Sequence, residues 1–300
     1  MSAEIAVGID LGGTKIAAGL VTGESEVLSD VRVPTEADKP ARHILGNMVG
    51  AVRSALEQAG VSPDEVAGVG IGSPAPLDME KGVILSTGNL PSLHGFPVVD
   101  ELSREFGKRV VLNNDANCYG LAEARFGAGK GAKVCCGLTL GTGMGGFLVI
   151  DGQVFNGPRG AGAEVWCCPY KGDQVEEKVS GRAIARNYKK LTEKVATAKE
   201  LAAMARDGDA DALMAWREFG RDLATPVAWL CNLCDPDVVV LGGSLSRAWD
   251  LFHADLMEEA SKYINTVNRD AVRVEPGTLG DKAGMMGAAA LILTGPRTGA

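Results

Sequence analysis

The stretch Ile5–Val21, IAVGIDLGGTKIAAGLV, constrains the fold of this chain more than any other. Small and β-branched residues run from Ile5 to Asp10 and again from Lys15 to Val21, on either side of Gly12-Gly13-Thr14. That is the pattern of two strands joined by a tight turn. Gly12 and Gly13 carry no Cβ, so the backbone there is free to take φ > 0 and to come close to a ligand. Backbone N–H groups converge in such a turn, Thr14 adds a hydroxyl and Lys15 a cation, a combination suited to phosphate oxygens. Asp10, at the end of the first strand, stands where a carboxylate would hold Mg²⁺ through water. An ordinary glycine hairpin has the same pattern, so one copy leaves both readings open.

A second copy shifts the balance. Gly137–Ile150, GLTLGTGMGGFLVI, lies on Gly8–Val21 without gaps, matching Gly8 to Gly137, Leu11 to Leu140 and Gly12 to Gly141. Two such hairpins in the two halves of one chain predict two related lobes, each offering a phosphate-binding turn. GxxxxGK[ST] is absent and the turns lead into strands, which excludes a P-loop. A dinucleotide fingerprint is excluded too, because it must open a helix.

The remaining sequence fits an α/β protein. Apolar residues at helical spacing predict a helix over Ala41–Ala59 with Gly60 as its C-cap. A buried strand is expected at Val66–Gly72, a short helix at Pro97–Gly107, a strand at Val110–Leu112 and a helix at Asn117–Phe126. Asp151–Lys178 is glycine-rich without periodicity and reads mostly as loop. Helices follow at Ser180–Leu191, Thr197–Arg206 and Asp209–Asn232, then a strand at Val238–Leu241, a helix at Ala248–Ile264, a short strand at Val272–Glu275 and a last helix at about Ala283–Leu293. Strands alternating with helices place the chain in the α/β class. The 300 residues allow one large or two ordinary domains. A net charge of −8 and a pI near 5.1 argue against a nucleic-acid surface, which needs a basic stripe. The first motif begins at Ile5 and no long apolar run follows, so neither a signal peptide nor a membrane span is expected, and the protein reads as cytoplasmic. The seven cysteines, an odd count with two adjacent pairs, read as reduced thiols. Cys231-Asn-Leu-Cys234 has redox or zinc spacing, but it adjoins an apolar helix and lacks a second pair, so core packing is the expected role.

Four motifs together resemble the ROK family of sugar kinases: DLGGTK at Asp10–Lys15, LNNDANCYGLAEARFGAG at Leu112–Gly129, LTLGTGMGGF at Leu138–Phe147 and VVVLGGSLS at Val238–Ser246. The resemblance runs from Ile5 to about Ala290. It implies a two-lobed actin/hexokinase-like (ribonuclease H-like) α/β fold with the active site in the interlobe cleft. Residues 1–116, completed by a C-terminal helix over 284–300, would form the first lobe and residues 117–283 the second. It also implies an ATP- and Mg²⁺-dependent kinase acting on the C6 hydroxyl of a hexose, most simply glucose. Fructose, N-acetylglucosamine and N-acetylmannosamine are alternatives, as is a non-catalytic sugar-binding or regulatory protein. The regulators of the family carry an N-terminal helix-turn-helix; with the hairpin at Ile5 and a negative net charge, DNA binding is not expected. A homodimer is a family expectation.

Phosphoryl transfer to an alcohol needs a base for the hydroxyl proton. Asp115 follows a short apolar strand and precedes a helix; capping alone would account for an aspartate there, whereas the resemblance makes it the catalytic base. The resemblance places Ala75, Asn89, Asn114, Glu164, Cys167 and Glu176 at sugar-contact positions. Asp10, Gly12, Gly13, Thr14, Lys15, Gly141, Thr142, Gly143, Gly242 and Gly243 fall at the ATP. One departure stands out. The family carries ExGH and then CxCGxxGCxE, whose histidine and three cysteines hold a structural zinc. Here Glu164-Val-Trp-Cys167 puts a cysteine in the histidine's place, and no CxC or GC precedes Glu176. Tetrahedral zinc needs four N or S ligands, so no zinc is expected. The shortened loop would be held by packing, with Trp166 and Tyr170 as candidates. A thiol is also a poor partner for sugar hydroxyls, which leaves the preferred sugar open.

Overall fold

The first hairpin forms as its composition requires. In the computed structural model, which describes residues 4–293, β1 (Ile5–Leu11) pairs antiparallel with β2 (Lys15–Thr22). Outside β2 runs β3 (Val31–Pro34), a strand that its short, half-exposed sequence did not announce. On its other edge β1 pairs in parallel with β4 (Val66–Ser73), and β4 in parallel with β7 (Arg109–Asn114). Between them lie α1 (Ala41–Ala59), the small ribbon of β5 (Leu77–Asp78) and β6 (Val83–Ile84), and α2 (Val98–Phe106). The sheet order is β3-β2-β1-β4-β7. Helix α1 buries Ile44, Met48, Ala51, Val52, Ala55 and Leu56, one apolar face, and ends on Gly60 at φ 65°.

α3 (Asp115–Phe126), β8 (Val134–Leu140) and β9 (Met144–Ile150) follow, the last two forming the second glycine hairpin. Asp151–Lys178, expected as loop, holds only short pieces: β10 (Gln153–Val154), β11 (Pro169–Tyr170), β12 (Asp173–Gln174) and single turns of 3₁₀ helix. Then come α4 (Gly181–Thr192), α5 (Ala198–Arg206), α6 (Ala210–Cys234), β13 (Val238–Gly242), α7 (Trp249–Ala260), β14 (Arg273–Pro276) and α8 (Ala283–Leu293). The helix expected from Ala248 to Ile264 begins at Trp249, after a 3₁₀ segment over Ser244–Ala248, and stops at Ala260. β13 pairs in parallel with β8 and β14, so the order β9-β8-β13-β14 repeats the order β2-β1-β4-β7, with one antiparallel and two parallel junctions in each. β13 is buried throughout, as a strand covered on both faces must be.

The chain forms two compact units. One holds the residues through Phe126, Gly152–Gly162 and the segment from Asp281; the other holds Gly127–Asp151 and Ala163–Gly280. The break expected at 116/117 therefore falls after α3. The reason is packing: α3 lies so close to α8 that a Cβ on Gly287 would sit 1.6 Å from the Cys118 carbonyl oxygen. Of the helix expected over 284–300, residues 294–300 lie outside the described residues. In the second unit Trp216, Phe219 and Phe252 form the aromatic centre of the core, with Phe219 and Phe252 edge-to-face at 5.2 Å. All seven cysteines are free thiols, and Cys231 is buried as expected. Among the described residues no helix is long and apolar enough to cross a membrane.

Helix α8 reaches the first sheet through glycines. A Cβ on Gly70 of β4 would stand 1.7 Å from the Ala288 carbonyl oxygen, a backbone atom that has no rotamer to give way. Gly70→Ala is expected to cost about 3 kcal/mol or more, the upper end of overpacking. Urea unfolding checks this: an unchanged midpoint would mean that α8 is free to shift.

Candidate active site

Parallel pairing aligns the carboxyl ends of β1, β4 and β7, because Asp10 is opposite Gly72 and Ser73 opposite Asn114. Ligands of open α/β sheets bind at such ends. The first glycine turn closes with Gly12 N–H donating to the Lys15 carbonyl at 3.0 Å, so that donor is committed to the hairpin. Neither Gly12 nor Gly13 has a positive φ, contrary to expectation. What matters is space: a Cβ on Gly13 would lie 2.9 Å from the Asn89 Cβ. Asn89 therefore packs against the turn. His94 Nε2 meets the Thr87 backbone N and O at 2.9 and 3.0 Å and fixes that loop. Thr14 and Lys15 are exposed, and Ala75 is partly buried in the loop after β4. Thr35, fully buried, donates its hydroxyl to the Gly12 carbonyl at 2.6 Å and its N–H to Thr14 O at 3.0 Å. Nothing in the local sequence marks Thr35 for this buttress.

Asn114, not Asp115, caps α3. Asn114 Oδ1 accepts from Ala116 N at 3.0 Å and Asn117 N at 3.2 Å. Asp115 Oδ1 takes a second bond from Ala116 N at 2.8 Å. One step further in, Asn117 Nδ2 donates to Asn113 Oδ1 at 3.1 Å and to Asn156 Oδ1 at 3.3 Å, tying the strand end to the loop over 156–160. The density of amide side chains in Asn113–Asn117 is the sequence signal for this cluster, whereas nothing local marks Asn156.

The electrostatics single out two carboxylates. Solvent reaches Asp115, yet protein crowds the carboxyl group, and the loss of water raises its pKa against the hydrogen bonds from Ala116 and Asn114. Asp10, partly buried, is raised to about 6, first by loss of water and then by the Asp115 charge, while Lys15 and Arg32 pull the other way. A Cβ on Gly284 would lie 2.8 Å from Asp10 Oδ2, so the start of α8 stands against this carboxylate.

The second unit gathers the other predicted residues. Gly141 N–H donates to the Gly143 carbonyl at 2.9 Å and closes the second turn; Thr142 at its tip is exposed. Gly181 N–H, at the start of α4, donates to the Gly141 carbonyl at 2.8 Å. Gly243 lies beside this turn at φ 83°, where a Cβ would meet the Leu140 carbonyl oxygen at 2.3 Å; Gly242 precedes it, buried at the end of β13. Of Gly12, Gly13, Gly141, Gly143, Gly242 and Gly243, only Gly243 uses the left-handed region. Glu176 Oε2 accepts from Met144 N at 2.8 Å and its Oε1 from Arg182 at 2.9 Å, so its carboxylate faces the glycine turn. Trp166 Nε1 donates to Glu164, and the exposed Cys167 thiol donates to the Glu164 carbonyl at 3.1 Å. Among the described residues no group of three or more His, Cys, Asp or Glu side chains is placed to hold a metal.

A carboxylate whose pKa is raised by folding binds its proton more tightly in the native state. Its charge therefore costs stability above the folded pKa, and the cost fades as pH falls through about 6 toward the ordinary 3.8. Two pKa units correspond to about 2–3 kcal/mol. Asp10→Asn is thus expected to be more stable than the parent at pH 8 by up to that amount, with the gap closing by pH 4. Chemical denaturation across that range checks it, and a gap constant with pH would contradict it.

Residues 6–294 match the model of the ROK family. The chain is 33% identical over 311 residues to a glucokinase of Thermotoga maritima, covering 95% of this chain and 96% of that protein. It is 32% identical over 305 residues to an N-acetyl-D-glucosamine kinase of Vibrio cholerae, covering 95% and 98%. Among solved structures it superposes on the ROK glucokinase of Streptomyces griseus, crystallised with glucose and AMPPNP, with a TM-score of 0.80 at 30% identity over 96% of this chain and 98% of that one. The actin- and hexokinase-like α/β fold expected from the motifs is the fold found. With a family match over residues 6–294 and relatives above 30% identity covering 95% of it, the chain belongs to the ROK family.

Proposed function

We propose that this chain, an ATP-dependent sugar kinase, transfers the γ-phosphoryl group of ATP to the C6 hydroxyl of a hexose, with glucose as the preferred acceptor. The observation that carries the reading is the corner at Asn114–Asp115. Asn114 takes most of the capping of α3, which leaves the Asp115 carboxylate, held at Oδ1 by Ala116 N, at a strand end with a pKa pushed above the ordinary range. Such a carboxylate is a better base toward an alcohol. It takes the hydroxyl proton as the oxygen attacks the γ-phosphorus and ADP leaves. The glycine turn at Gly12–Lys15 offers backbone N–H groups and, at Lys15, a cation for phosphate oxygens, and the turn at Gly141–Gly143 offers backbone N–H groups of the same kind.

Asp10 suits Mg²⁺: a hard oxygen donor, ionised above about pH 6, on an ion that takes one or two protein carboxylates beside substrate phosphates. The metal, when bound, neutralises charge on those phosphates. Zinc does not suit the loop over 164–177. Its only soft donors are the adjacent Cys167 and Cys168, and no histidine stands in it. We place the enzyme in the cytoplasm, where ATP is at hand. Glucose rests on the glucokinase relatives; the thiol of Cys167, smaller than an imidazole, favours an N-acetylated hexose as the second reading.

ATP consumption coupled to sugar-phosphate formation, across hexoses and N-acetylhexosamines with Mg²⁺, tests the reading. Turnover on glucose is expected, and Asp115→Asn should lower kcat by about 10²–10⁴-fold. The acid limb of the parent's pH profile should lie above the ordinary carboxylate value of 3.8, as the raised carboxyl requires. No turnover on any sugar, with sugar still bound in calorimetry, would make this a sugar-binding protein instead. Glu176 separates two roles. Its bonds to Met144 N and Arg182 favour the phosphate turn, so Glu176→Ala should raise KM for ATP about tenfold while leaving KM for the sugar nearly unchanged. A rise confined to the sugar's KM would return Glu176 to the sugar.

A further inference from the structure

The segment from Glu164 to Glu176 contains a hairpin too small to hold itself. Only Pro169–Gln174 and Tyr170–Asp173 pair across it, joined by Lys171 and Gly172 at φ 49° and 77°. Isolated two-stranded ribbons are at best marginal in water, and residues 171–174 are all exposed. Backbone bonds link its base, Val175 N–H to the Cys168 carbonyl at 2.9 Å, without fixing where the ribbon points.

What fixes it comes from another element. Asp222, on α6, is 8% exposed and carries a charge that must find partners there. Its Oδ1 accepts from the Tyr170 hydroxyl at 2.9 Å and from Lys171 Nζ at 2.5 Å. Lys171 Nζ lies 5.2 Å from the centre of the Tyr170 ring, and Tyr170 packs on the second core. A single buried carboxylate thus gathers both residues at the bend of the ribbon. Glu164 and Cys167 leave the ribbon on one side. On the other side Val175 is fully buried and Glu176 reaches Met144 N.

We propose that Asp222 is a positioning residue for sugar recognition, acting through Tyr170 and Lys171 to set the segment that carries Glu164 and Cys167. The proposal rests on the kinase reading above and deepens it. A helix of 25 residues is a rigid reference, so one bond pair transfers its position to a loop that has little core of its own.

The test compares Asp222→Ala, Asp222→Asn and Tyr170→Phe by hydrogen exchange over residues 164–177 and by steady-state kinetics well below the unfolding temperature. Asp222→Ala should speed exchange in that segment alone. It should raise KM for the sugar about tenfold, with kcat changed less than about threefold. Asp222→Asn keeps an oxygen for Tyr170 and should recover most of the loss. Tyr170→Phe should reproduce the exchange effect in part, and decides the matter if Asp222→Ala does not fold. Unchanged exchange, or faster exchange with an unchanged sugar KM, would overturn the proposal. If the parent phosphorylates no sugar, the kinase reading fails by itself; exchange and sugar affinity by calorimetry then still decide the role of Asp222.

Discussion

The backbone-to-backbone approach of α8 to the first sheet is the contact on which the first unit depends. Its sequence, AGMMGAAALIL, offers small side chains over much of the helix, and Gly8 and Gly70 remove the side chains opposite. Added Cβ atoms there would stand 1.9 and 1.7 Å from the carbonyl oxygens of Met285 and Ala288. The helix axis can then lie closer than any aliphatic pair would permit, at the expense of side-chain burial that larger residues would have provided. That closeness delivers Gly284 to the Asp10 carboxylate and Gly287 to α3, directly behind the strand end that presents Asp115.

Once Asp10 and Asp115 share that edge, their chemistry follows from water and charge. Loss of water is the larger cause in both, and for Asp10 it outweighs the cations Lys15 and Arg32. The site therefore stores a stability cost in the same group that suits a divalent cation, the usual trade between activity and stability. Asn114 makes the second economy of the corner. By accepting from Asn117 N and sharing the Ala116 N–H, it leaves Asp115 only part of the capping of the helix start.

The second unit solves a different problem with similar parts. Its strands follow the same order, and its glycine turn is held from two sides, by Gly181 N–H and by Glu176. Gly143 is needed there because a Cβ would meet Glu176 Oε2 at 2.4 Å, so the glycine makes room for a protein carboxylate. The glycines of these turns serve close approach more than unusual dihedrals. From sequence the two uses look identical, since both simply require the absence of Cβ.

The sequence by itself determined the order of the main helices and strands, the duplicated hairpins and the family. These depend on hydrophobic period and glycine placement, which are local or pairwise along the chain. Helix α1 and its Gly60 cap, α8 through Leu293 and the corner at Asp115 were all legible in that way. The tertiary structure alone decided β3, the capping role of Asn114, the Thr35 buttress, the engagement of Glu176 with Met144 and the hold of Asp222 on the ribbon of β11 and β12. Each joins groups whose partner is chosen by where a sheet edge or a helix face falls in space. Asp222 and Tyr170 are 52 residues apart, and no spacing rule reaches across that distance.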